Sequence, residues 1–303
     1  SAIGMPVPPA GAQDADWQKV LAAGKKEGVV NAASTALSGK AAVKAMNSFR
    51  EKYGISLELI PGRIATATEK IMVEQKSKSY VTDSMDAHSL NIVLLKNAGY
   101  LESVANALPV MKEKDKFVRP LLDKGDKEAQ LLNILYLFTN FWINTNLVKP
   151  GEEPKSWHDL LDPKWKNRLG TWYRAGGFAQ LAKVWGEERT TRYMKKFVEQ
   201  NPFLFRSTFP LAQQVAAGEV HVAQGMYHTA QPPIKKGAPI KIVALDPVPV
   251  NSVYSFLMKT AKNPNGAKLF IAWLLSPEGA KAYEEATDRG NPLLPGTRSA
   301  AFF

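Results

Sequence analysis

An α/β fold in two domains, each a mainly parallel sheet flanked by helices, is the class this sequence predicts, and three observations predict it. Short apolar or alternating runs, "VVNAA", "ISLELI" and "YVTDSMDA", each lead into a run with helical spacing, and parallel strands need the long crossovers that helices supply. At 303 residues the chain exceeds the size at which one core stops growing, so one large or two medium domains fit, two being preferred. A charged, irregular stretch, "PVMKEKDKFVRPLLDKGDKEAQ", then separates this first series from strand-like "LLNILYLFTNFWINTNL" and a second series of α/β material.

The elements follow in order. The opening "SAIGMPVPPAGAQ" is rich in Pro, Gly and Ala and reads as a loose arm over residues 1–13. In "DADWQKVLAAGKKEG" Asp14 or Asp16 is the expected N-cap, Trp17, Val20 and Leu21 share a face, and Gly28 is the stop. After "VVNAA" and the loop "STALSGK", Ala42, Val43, Met46 and Phe49 keep helical spacing up to Gly54. "ISLELIPG" alternates as a strand and breaks at Pro61-Gly62-Arg63 before the helix "TATEKIMVEQKSK". "YVTDSMDAHS" and "LNIVLLKNAGYLESV" repeat the cycle. The second half offers "SWHDLLDPKWKNRLGTWYRAGGFAQLAKVWG", "APIKIVALDPVPV", and the strand "NSVYSFLMKT" followed by two helices, the last opening on Ser-Pro-Glu-Gly.

Composition excludes several function classes. The chain has no cysteine, so thiol catalysis, Cys-ligated zinc and disulfides are out. No run approaches the roughly 18 apolar residues of a membrane span, and no charged and apolar leader opens the chain, so no membrane insertion is expected. The balance of 39 Lys+Arg against 28 Asp+Glu gives +11, but the basic residues are scattered singles and pairs with acids nearby, as in "KEKDK". That pattern argues against a nucleic-acid partner and leaves a solvated basic surface or an anionic small ligand.

Sequences for catalysis are missing. GxSxG, the P-loop and GxGxxG do not occur, and Asp83, Asp86 and Asp246 form no recognisable acid/base pair. The four histidines, His88, His158, His221 and His228, show no metal-ligand spacing, so no metal or other cofactor is expected. His158 reads as a helix-opening surface residue, whereas His88 and His228 fall at loop ends where they either touch a ligand or serve local hydrogen bonding.

The strand-to-helix loops "STALSGK", "PGRIAT" and "DAHS" lie on one side of one sheet, where such folds bind ligands, and each ends at a helix N-terminus that favours an anion. Each is either a binding loop or simply a capping loop. Arg63, Arg174 and Arg206 stand at or beside such loops, in "PGRIAT", "YRAGGF" and "FRSTFP", and guanidinium groups grip carboxylate or phosphate in a bidentate way. Gly176 and Gly177 add a second anion nest. Tyr173, Phe178 and Tyr227 are either aromatic walls or core.

The stretches "DWQKVLAAGKKEGVVNAAS", "FREKYGISLEL", "NAGYLE", "NTNLVKPGEEPKSWHDLLDPKWKNRLG", "VAAGEVHVA" and above all "KNPNGAKLFIAWLLSPEGAKAYEEA" together resemble family 1 extracellular solute-binding proteins of bacterial ABC importers, the group that includes ferric-ion binders. The resemblance implies a type II periplasmic binding protein fold of two discontinuous lobes. Lobe 1 would comprise residues 14–133 and 250–285 and lobe 2 residues 134–249 and 286–303, with crossings near 131–138 and 243–253. It further implies a periplasmic, non-enzymatic monomer that closes on a solute by a hinge and docks on an importer permease, its signal peptide already removed. By alignment to ferric-ion relatives, the metal positions become Ser38 and His88, and the tyrosine pair falls on "GMYHT", where only Tyr227 remains, beside Met226 or His228. Ferric ion prefers hard anionic oxygen ligands, so an anionic organic solute (carboxylate, phosphonate or phosphate ester) fits better, with a ferric-ion carrier as the alternative. The residues expected to hold the solute are Ser34, Thr35, Ser38, Arg63, His88, Ser89, Arg174, Gly176, Gly177, Arg206, Tyr227 and His228.

Overall fold

Helix α1 (Ala15–Glu27) ends at Gly28, whose φ of 75° turns the chain directly into strand β1 (Val29–Ser34). A computed structural model describes this and the rest of residues 15–34, 36–60, 62–88, 90–111, 126–291 and 297–302. Asp16 lies in the first turn of α1 and meets Lys19 at 3.0 Å; Asp14, the other expected cap, lies outside the described residues, as does the arm before it.

Strand and helix then alternate: α2 (Gly39–Tyr53), β2 (Ser56–Ile60), α3 (Ile64–Ser77), β3 (Ser84–Ala87) and α4 (Leu90–Asn97). Helix α2 stops at Gly54, which takes a left-handed φ of 70° and donates its N–H to Arg50 O at 2.7 Å. Strands β2 and β3 both pair parallel with β1, and β9 (Val250–Leu257) joins β3 antiparallel, giving the order β2-β1-β3-β9. All four residues of β3 are buried, as expected of a strand with both faces covered, whereas β2 at the edge is only half covered.

The first unit closes on helices α9 (Pro264–Leu274), α10 (Pro277–Thr287) and α11 (Arg298–Phe302). Phe49 of α2 packs edge-on against Phe270 and Trp273 of α9 at 5.6 and 5.7 Å between ring centres. Glu27 at the end of α1 accepts from the N–H groups of Asn265 and Gly266 at 3.2 and 2.7 Å, filling donors that the start of α9 leaves open. Ser276 caps α10 through the Gly279 N–H at 3.1 Å, as the Ser-Pro-Glu-Gly signal predicts.

The second unit holds strands β5 (Leu169–Trp172), β6 (Phe203–Phe205), β7 (Val222–Met226) and β8 (Ile240–Val243), with helices α5 (Gly176–Trp185), α6 (Glu187–Glu199), α7 (Thr208–Ala217) and α8 (Tyr227–Lys235). β5 runs parallel to both β6 and β7, while β4 (Leu132–Asn144) is antiparallel to β7 and β8. Its core centres on Trp157, which meets Phe141 at 4.9 Å and Trp185 at 5.9 Å and whose backbone oxygen accepts from Tyr193 OH at 2.6 Å. His158 opens a 3-10 turn (His158–Leu161) and is exposed.

Contacts group the described residues up to Tyr136 and from Ser252 onward into one unit, and Leu137–Asn251 into the other. The sequence alone puts residues 286–303 in the second lobe; the structure places them with the first. The reason is Glu284, buried in α10, whose carboxylate accepts from the N–H groups of Arg298 and Ser299, the latter at 2.9 Å, while Asn291 Nδ2 donates to Ile134 O at 3.4 Å. Among the described residues no helix is long and apolar enough to cross a membrane.

Candidate functional site

Because β1, β2 and β3 are mutually parallel, their carboxyl ends share one edge of the first sheet, and the residues that follow them gather there. Ser34 ends β1, Arg63 precedes α3, and His88 follows β3. Ser34 is buried and its Oγ accepts from Leu37 N at 3.0 Å, so part of its hydrogen-bonding capacity is spent on shaping the loop. Ser38 and Arg63 occupy the N-cap positions of α2 and α3, both exposed and neither making a side-chain cap bond. Thr35 and Ser89 lie outside the described residues.

Behind this edge sits a cluster that sequence reasoning did not assemble. Asp86 of β3 is 1 % exposed and its Oδ2 accepts from Tyr283 OH at 2.9 Å, a pairing that spans 197 positions of sequence. Burial pushes the Asp86 carboxyl up to about 6, against the opposing pull of Ser34, Tyr283 and the nearby Arg289 guanidinium. Oδ1 has no partner at hydrogen-bond distance among the described residues. Burial and the same Arg289 lower the pKa of His88, which keeps the imidazole neutral near pH 7 and gives it one donor and one acceptor. Burial likewise raises the Tyr283 phenol well above its ordinary value, so it remains a donor.

The second unit repeats the arrangement. β5, β6 and β7 are parallel through β5, and Arg174, Arg206 and the pair Tyr227-His228 follow their carboxyl ends. Arg174 is exposed and lies over the rings of Trp172 and Tyr173 at 5.4 and 5.7 Å, with Nε donating to Tyr173 OH at 3.1 Å. Arg206 is exposed, and its backbone oxygen receives Trp172 Nε1 at 3.2 Å, tying the two loops together. Tyr227 and His228 open α8 in buried positions, the imidazole 6.0 Å from the Phe209 ring.

Gly176 and Gly177 begin α5. Gly177 is glycine for a steric reason: a Cβ there would stand 2.9 Å from Gln224 Nε2 and 3.2 Å from Thr139 Cγ2. Gln224 is buried, its Oε1 accepts from Thr171 Oγ1 at 2.7 Å, and its Nε2 has no hydrogen-bond partner among the described residues. An unfilled amide donor therefore sits beside the positive end of a ten-residue helix, a combination suited to an anion. Its signal in sequence, a polar residue in the buried strand "VAQGM", is legible only once the strand is known. Asp83, by contrast, is structural: its carboxylate accepts from Asn31 N at 2.8 Å and from Asn263 N and Nδ2, both at 2.9 Å. Among the described residues no three His, Asp or Glu side chains gather as a metal site.

Known proteins share this fold. The structure is similar to iron-bound HitA from Pseudomonas aeruginosa, with a TM-score of 0.70 and 21% identity over 89% of this chain and 87% of that one. It is similar to Trichodesmium IdiA (FutA) in complex with iron and citrate, with a TM-score of 0.71 and 20% identity over 89% and 88% of the two chains. It also resembles AfuA from Actinobacillus pleuropneumoniae with fructose-6-phosphate bound, with a TM-score of 0.65 and 21% identity over 89% and 86%. At these identities the likeness establishes the fold: two mixed sheets flanked by helices. An uncharacterised protein of Haemophilus influenzae is 28% identical over 207 residues, 63% of this chain and 57% of that relative, so the chain matches little more than half of its length. The family described as bacterial extracellular solute-binding protein matches residues 44–301, and the chain belongs to it.

Proposed function

We propose that this protein is the periplasmic binding component of an ABC importer and that its solute is a small organic anion, a carboxylate, phosphonate or phosphate ester. The observation that carries the solute class is the carboxyl edge of the second sheet. Arg174 and Arg206 follow neighbouring parallel strands there, and the α5 N-terminus stands beside the unfilled Gln224 amide. In the first unit Ser38, Arg63 and His88 occupy the corresponding edge. Such a protein binds its solute and surrenders it to a permease without chemical change. Iron, iron with citrate, and fructose-6-phosphate, the ligands of three structural neighbours, are in keeping with a solute that is an anion or a metal.

Calorimetric titration with citrate and with fructose 6-phosphate tests the reading. Binding of one of them by the natural protein, weakened tenfold or more in Arg174→Ala, is the expected result. Equal affinity in Arg174→Ala would remove Arg174 from the site, and a response to ferric iron alone would transfer the protein to the ferric-ion carriers.

A further inference from the structure

Arg289 belongs to none of the strand-to-helix loops. It follows α10, where Asp288 takes a left-handed φ of 57° and turns the chain back, and its own N–H donates to Thr287 Oγ1 at 3.1 Å. The side chain is half-buried, yet the hydrogen bond it makes among the described residues is a single long one, Nη1 to Thr287 O at 3.4 Å. Asp86 Oδ2 takes the Tyr283 hydroxyl and Asp288 Oδ1 takes Arg298 Nη2 at 2.7 Å, and neither carboxylate forms an ion pair with Arg289. A guanidinium carries five N–H donors, and removing a charge from water without filling them is unfavourable.

Solvent or a bound ligand is left to meet those donors. A cavity bordered by Ile134, Tyr283, Arg289 and Asn291 measures about 10 Å³, room for one water and far too little for an organic solute. A water on that side leaves the rest of the fork open. Arg289 borders this cavity together with Tyr283, whose hydroxyl meets Asp86 of β3 two residues before His88, so the guanidinium lies toward the carboxyl end of β3, where its charge acts on both Asp86 and His88. The His88 imidazole, kept neutral by burial and by this charge, offers a further donor at that edge without adding repulsion.

We propose that Arg289 is an anion-binding residue of the first unit, gripping carboxylate or phosphoryl oxygens of the solute beside His88. This rests on the solute-capture reading and adds to it the cation that the first unit contributes from outside the strand-to-helix loops. Asp86 holds Tyr283 and is not hydrogen-bonded to Arg289, so the guanidinium is left for the solute.

The test combines two readouts on the full chain. Calorimetry with citrate, fructose 6-phosphate and inorganic phosphate measures affinity in the natural protein, Arg289→Gln and Arg289→Lys, and a melt without added anion measures stability. The expected result is binding of at least one of the three, a loss of tenfold or more in Arg289→Gln, a smaller loss in Arg289→Lys, and an unliganded Tm in Arg289→Gln equal to or above that of the natural chain. Undiminished affinity in Arg289→Gln overturns the assignment and leaves the anion reading standing. A Tm lowered by several degrees in Arg289→Gln also overturns it, because the guanidinium would then be a structural partner of Asp86. Failure of the natural protein to bind any of the three overturns the anion reading and the Arg289 assignment together.

Discussion

Tyr283 of α10 donates its hydroxyl to Asp86 of β3 at 2.9 Å, and both residues are buried, so a helix near the end of the chain is fastened to a central strand of the first sheet by a carboxyl whose pKa lies at about 6. That carboxyl makes stability depend on pH in a defined direction. The folded pKa is above the ordinary value of 3.8, so the native state holds the proton more tightly than the unfolded chain does. Stability is then greatest below about pH 4 for this group and falls as pH rises from about 4 to about 6, by on the order of 2–3 kcal/mol, after which it levels.

Asp86→Asn removes that dependence. Its Tm relative to the natural protein should rise by several degrees between about pH 4 and about pH 8, followed by circular dichroism melts at each pH. A difference that stays constant across this range would mean that Asp86 ionises at its ordinary pKa.

Asp83 should behave in the opposite way to a site residue. It is fully buried and accepts from Asn31 and Asn263, holding β1 to the segment that begins α9. Asp83→Ala leaves several buried donors unpaired and should destabilise the first unit by about 3–5 kcal/mol, read by urea denaturation, with solute affinity unchanged wherever the variant is folded.

Gly225 of β7 faces Trp142 so closely that a Cβ would stand 2.1 Å from Cη2 of the fully buried indole. Gly225→Ala should therefore cost about 1–3 kcal/mol or more and lower the Tm by several degrees. A Tm matching that of the natural protein would show that the indole has room to move.

Much of the fold was legible because its signals are local. Gly28 and Gly54 stop helices at left-handed positions, Ser276 caps α10, and the alternation in "ISLELI" matches an edge strand with one covered face. The loops carrying Arg63, Arg174 and Arg206 follow from the same strand and helix periodicity. What was not legible depends on distant pairing. Tyr283 and Asp86 are 197 positions apart, Arg289 sits beyond a helix rather than in a strand-to-helix loop, and Gln224 matters only through the closeness of Gly177. The assignment of residues 286–303 failed for the same reason: the buried Glu284 and its backbone donors hold that segment, and no local pattern announces them.

The central claim is that the protein captures a small organic anion. A thermal-shift panel on dialysed protein, with citrate, phosphonates, phosphate esters, sugars, polyamines and ferric citrate, tests it most directly. A ligand at about a hundred times its dissociation constant adds roughly 2.7 kcal/mol, enough to raise the Tm by several degrees. The account predicts a shift confined to one class of organic anion; a shift produced only by a sugar, a polyamine or ferric iron would contradict it.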